Sequence, residues 1–162
     1  MSVGQRVTSD HQLARLLQIG VVLEEVVEAR ATQHYREMDA AFDDEIVELL
    51  DHAAEESAEH RDRLEELIEE LDAESVSYEE IEALVEAQYG QTKPEDFDGV
   101  LYDQLCNEET AYKFYDDLIR AVEGSDATYS IGRDRLLSTL RAIREEEADG
   151  VEDVTDVMER RA

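Results

Sequence analysis

Glu28, Glu56, His60, Glu108 and Glu147 are the residues of this chain whose type and position suggest chemistry, because each interrupts an apolar stripe at helical spacing. Glu28 shares a face with Val21, Ala31 and Tyr35. Glu108 stands in the same relation to Ala111 and Tyr115, so one Glu/Ala/Tyr pattern occurs twice. His60 lies at the centre of the Ala53, Leu64, Leu67 stripe, with Glu56 to one side of it and Ser57 to the other. Glu147 falls among Leu140, Ile143, Val151 and Val154. Carboxylates in an apolar core must be protonated, paired or bound to a cation. With no Arg or Lys evident on the inner faces, a metal ion is the simplest compensation. Carboxylate oxygens with one imidazole suit iron, or manganese, as one or two ions. Tyr35 and Tyr115 are natural hydrogen-bond donors to such ligands.

The elements that would position these residues are helices. Ser9-Asp10-His11-Gln12 reads as a capping box opening a helix that carries Leu13, Leu16, Leu17, Val21, Ala31, Tyr35 and Met38. A short break at Asp39 to Asp44 leads into a second helix, from Ile46 through Leu50, Ala53, His60, Leu64 and Leu67 to Leu71. From Asp72 to Thr92 a long connection contains a second capping signal at Ser77-Tyr78-Glu79-Glu80, a brief amphipathic run, and Gly90 as a stop. Thr92-Lys93-Pro94-Glu95 restarts a long helix, bent at Gly99, with Leu101, Leu105, Tyr112, Tyr115, Ile119 and Val122 as its stripe. The last helix begins between Ser130 and Asp134 and carries Leu136, Leu140, Ile143, Val151, Val154 and Met158.

Two long antiparallel pairs joined by one long crossover that carries a short helix make an all-α, ferritin-like four-helix bundle, a single domain over residues 1–162. Equal rise along antiparallel helices places Glu28 with Glu56, Glu24 with His60, and Glu108 with Glu147 within about one residue of level. The carboxylates therefore meet in one layer.

The positions Glu28 to Tyr35, Glu55 to His60 with Leu64, Glu108 to Tyr115, and Glu145 to Glu147 with Val151 resemble those of the ferritin-like superfamily, in particular its rubrerythrin-type di-iron carboxylate branch without a rubredoxin domain. The resemblance spans residues 12 to 158. It implies a Glu from each of helices 1 and 3 and a Glu-x-x-His from each of helices 2 and 4, holding two irons for oxygen or peroxide chemistry. Ser57 stands where the helix 2 Glu would be, and Gly150 where the helix 4 His would be. The expected function is a metal-binding protein of iron handling or peroxide defence, possessing oxidase- or peroxidase-type oxidoreductase activity. The alternative is a helical interaction bundle with a degenerate, metal-free site.

Composition bounds the remaining classes. Against 44 Asp and Glu stand only 15 Lys and Arg, a formal net charge of -29, which repels nucleic acid and anionic membrane surfaces. Such a surface suits a salt-rich cytoplasm, as in a halophile. One cysteine, Cys106, leaves no four-cysteine zinc or rubredoxin-type iron site within the chain, so electrons would come from a separate donor. No apolar run is long enough to cross a bilayer, and His11, His34 and His52 read as surface residues. The expected protein is soluble and cytoplasmic, self-associating as a homodimer.

Overall fold

A computed structural model describes residues 6–37, 44–74, 77–89 and 99–161, with only the backbone described for 33–37 and 84–89. The described residues are all-helical in architecture and form five helices, α1 (Asp10–Glu37), α2 (Asp44–Glu70), α3 (Tyr78–Tyr89), α4 (Val100–Glu123) and α5 (Arg133–Arg160). The Asp39 break, the Gly90 stop, the Thr92 to Glu95 restart and the side chains of His34 and Tyr35 lie outside the described residues.

Three of the starts have a local cause. Ser9 Oγ accepts from the Gln12 amide at 3.2 Å, while the Gln12 side chain reaches back to the amide of Thr8 at 2.7 Å, one residue earlier than in the usual box. At Ser77 the side chain accepts from the Glu79 amide at 3.3 Å. Gly99 does not bend a continuous helix. It is the residue before α4, at φ 109°, a conformation favourable only to glycine, and so it sets where α4 begins.

One apolar cluster joins the four long helices: Leu13, Leu17 and Val21 of α1, Leu64 and Leu67 of α2, Tyr115, Leu118 and Ile119 of α4, and Leu136, Leu140 and Ile143 of α5. Each such side chain taken from water contributes roughly 1.5–3 kcal/mol. The directions follow from which residues touch. Gly20 of α1 lies against Leu64 of α2 while Ala31 clusters with Ile46 and Leu50, and Arg141 and Arg144 of α5 reach Glu123 and Asp116 of α4, so both pairs are antiparallel. Between the pairs, Arg30 meets Asp103 and Glu24 meets Tyr115, while Arg63 meets Glu146 and Arg135 meets Glu70. These contacts are antiparallel too. Thus α2 and α4 run the same way, and the chain between them returns along the molecule, with α3 laying Ile81 against Val22 of α1.

The turn between α4 and α5 is held by Arg133, whose guanidinium donates to the carbonyls of Val122, Ser125 and Ala127 at 2.9, 2.6 and 2.9 Å. Tyr129 donates to the Val7 carbonyl at 2.5 Å. With that turn fixed, Glu108 is committed to the level of Glu147.

Two expectations are corrected. Tyr112 is 38 % exposed, and the buried face of the first half of α4 is polar instead: Asp103, Gln104, Asn107 and Glu108. Arginines also point inward, since Arg30 forms a 2.6 Å ion pair with the fully buried Asp103. Both follow from a rotation of α4 that turns its polar residues toward α1. No described helix is long and apolar enough to cross a membrane.

Candidate metal centre

Helix α2 contributes His60, fully buried beneath α1 and α5 because the stripe on which it lies is the one that packs inward. Its Nδ1 is 3.0 Å from Glu147 Oε1 and 3.3 Å from Glu24 Oε1. On the other side, Nε2 is 3.2 Å from Glu146 Oε2, and Arg63 donates to that same carboxylate at 2.6 Å. Glu146 thus orients the imidazole while Arg63 orients Glu146, the arrangement that commonly supports a ligating histidine.

Around His60 the carboxylates form two groups. Glu24, His60 and Glu147 offer ligand atoms all within 4.8 Å of one another, and so do Glu56, Glu108 and Glu147. Glu147 belongs to both. The Tyr115 hydroxyl donates to Glu24 Oε1 at 2.5 Å, and Gln104 Nε2 donates to Glu108 Oε1 at 2.9 Å. Among the described residues, Glu24 Oε2 has no hydrogen-bond partner although it is buried.

The electrostatics are those of crowded anions. Burial raises the Glu147 carboxyl well above its ordinary range, reinforced by the charge of Glu24 and by its hydrogen bond to Glu108. Burial likewise raises Glu108, against the hydrogen bonds from Glu147 and Gln104. Glu147 and Glu108 thus both hold their protons more tightly than an ordinary carboxyl does. Glu56, half buried, is pushed up to about 7, chiefly by desolvation. Burial alone would depress His60, but its hydrogen bond to Glu24 and the charges of Glu24, Glu56 and Glu146 outweigh this and raise it. Glu146 goes the other way, since Arg63 and His60 overcome its partial burial and lower it.

No protein family, no characterised protein and no solved structure matches the chain.

Chemistry must therefore be argued from the residues themselves. Of the five residues singled out by spacing, the fold brings Glu56, His60, Glu108 and Glu147 together. Glu28 stands apart, 30 % exposed and ion-paired with Arg61, and Glu24 takes the inner place on α1. Four residues separate the two, so both lie on one stripe, and Glu24 was already level with His60. Glu146, Arg63 and Gln104 carry weaker signals: Glu146 is next to Glu147, and Gln104 is one turn before Glu108. Asp149 is exposed, and so are His11 and His52.

The residues fit a divalent cation. Among the described residues four carboxylates and one imidazole converge, one buried carboxylate oxygen is unpartnered, and the arginines Arg63 and Arg61 bond to the outlying Glu146 and Glu28. A groove of about 610 Å³ between α2 and α5 is lined by Arg63, Leu67, Ser138, Thr139 and Glu146, whose carboxylate is 3.2 Å from His60 Nε2.

Proposed function

We propose that this protein is a ferritin-like four-helix bundle holding two metal ions, iron or manganese, between its helices, and that it serves in iron handling or peroxide defence. The observation that carries the reading is Glu147, common to two ligand groups drawn from all four long helices. A carboxylate so placed is suited to bridge two cations. The antiparallel pairing of α1 with α2 and α4 with α5, with α2 and α4 parallel, is the path a ferritin-like crossover requires.

A redox-active ion bound here would supply one-electron chemistry toward oxygen or peroxide. The chain's own residues supply the rest. Glu24, His60, Glu56, Glu108 and Glu147 bind; Tyr115 holds Glu24, Gln104 holds Glu108, and Arg63 through Glu146 holds His60. Burial raises both Glu108 and Glu147, so protons held there must leave before both can act as ligands, and uptake would release protons and strengthen as pH rises.

The test is elemental analysis of protein purified without chelator and reconstituted anaerobically with ferrous iron. About two ions per chain are expected from a ligand set of this kind, with the loss of both in Glu147→Ala. Subsequent exposure to peroxide should oxidise the bound iron. Absence of metal after reconstitution overturns the reading, and bound iron inert to oxygen and peroxide overturns its redox part.

A further inference from the structure

The two groups that meet at Glu147 are chemically unequal. Glu24, His60 and Glu147 combine an imidazole nitrogen with carboxylates, whereas Glu56, Glu108 and Glu147 offer oxygen alone. Packing at position 150 maintains the difference. Gly150 lies three residues after Glu147 on α5, the place from which a second histidine would reach this layer. The Glu108 carboxylate occupies that space: a Cβ on residue 150 would stand 2.5 Å from Glu108 Oε2 and 2.7 Å from its Cδ. Any side chain at 150 must therefore displace a ligand of the second group.

A second feature of this side of the site points the same way. Gln104 is fully buried and uses its amide nitrogen on Glu108, yet its Oε1 has no hydrogen-bond partner among the described residues. A buried acceptor left unmatched beside a carboxylate group calls for a donor. Hard cations bound by oxygen keep part of their water, and such water is a donor.

Imidazole suits ferrous iron better than manganese, while carboxylate and water suit manganese. We infer that the protein is a mixed-metal one, in which Glu24, His60 and Glu147 hold ferrous iron and Glu56, Glu108 and Glu147 hold manganese(II). The assignment rests on the dinuclear reading above. Glycine at 150 and the Gln104 to Glu108 hydrogen bond are then its specificity determinants.

The experiment loads the metal-free protein anaerobically with ferrous iron and an excess of manganese(II), removes unbound ions, and combines elemental analysis with the electron paramagnetic resonance of bound manganese. Equal amounts of the two metals are expected. In Glu108→Gln and in Gly150→Ala, manganese binding should weaken by at least about tenfold, the scale of losses at metal-supporting positions, with iron retained. Glu108→Gln adds no bulk, so it keeps the test clear of any unfolding caused by a Cβ at 150. Two ions of one kind, a random mixture of both, or loss of both metals together in Gly150→Ala would overturn the mixed-metal assignment and leave the dinuclear reading standing. Failure of the unaltered protein to retain either metal would overturn both.

Discussion

Tyr115 and Glu24 meet at the centre of the molecule, the hydroxyl on α4 donating to the carboxylate on α1 at 2.5 Å, with neither residue reaching solvent. Burial and the charges of Glu24 and Glu147 hold the phenol well above its ordinary pKa, so it remains a neutral donor. Tyr115→Phe withdraws that donor from a buried carboxylate. A loss of roughly 1–3 kcal/mol is expected in urea unfolding of the metal-free protein, together with roughly 10–100-fold weaker metal binding. An unchanged urea midpoint would contradict the contribution assigned to this pair.

Glu24 and Glu28 should differ sharply despite sharing a stripe. Glu24→Ala removes a fully buried group from the His60 cluster, whereas Glu28→Ala removes the partly exposed partner of Arg61. Metal content measured on the two variants should be lost in the first and close to normal in the second. The opposite result would mean that α1 is rotated by one turn's offset relative to the arrangement described.

The metal-free protein should lose stability as pH rises from mildly acidic values. Glu147, Glu108 and Glu56 have folded pKa values raised above their unfolded ones, Glu56 to about 7, so the folded state binds more protons between about 4.5 and 7. His60, also raised, acts in the same sense: its contribution is fully present below its unfolded value and is lost as pH passes the folded one. Glu146, lowered, opposes them only at the acid end, where its contribution disappears as pH falls through its folded value. Thermal midpoints across pH 5 to 8 should therefore fall without metal, while bound metal should remove or reverse the slope. A flat profile without metal would be the contrary result.

Arg30 forms an ion pair with the fully buried Asp103 that ties α1 to α4 about one and a half turns beyond the ligand layer. Arg30→Ala removes the cationic partner of the fully buried Asp103 and should destabilise by roughly 3–5 kcal/mol, the scale for breaking a buried pair from one side. Arg135→Ala, at the exposed contact with Glu70, should leave the urea midpoint nearly unchanged. Equal effects of the two would show that burial does not distinguish them.

With a net charge of -29, the folded chain repels itself. Potassium chloride should raise its melting temperature steadily as the screening length shortens. No dependence on salt would mean that this charge is of little consequence for stability.

Helical periodicity in the sequence determined the four long helices, the short helix in the crossover and the buried stripe of α2 with His60 at its centre, because burial requires only that a residue lie on the repeating face. It determined, too, that Glu24 stands level with His60 and Glu108 with Glu147, since short turns and equal rise leave little freedom in height. Helix rotation is a different quantity. Successive turns differ by only a fraction of a right angle, so Glu24 and Glu28 were equivalent until α2 packed, placed Arg61 beside Glu28, and left Glu24 facing His60. Rotation also turned Gln104 and Asp103 of α4 inward and Tyr112 outward. Gly150 was legible only as a missing histidine; that its empty Cβ position is filled by Glu108 is a fact of contact between α4 and α5. Spacing determined which residues could share a layer, and tertiary packing decided which of them face one another, because side-chain direction depends on neighbours that lie far away in the chain.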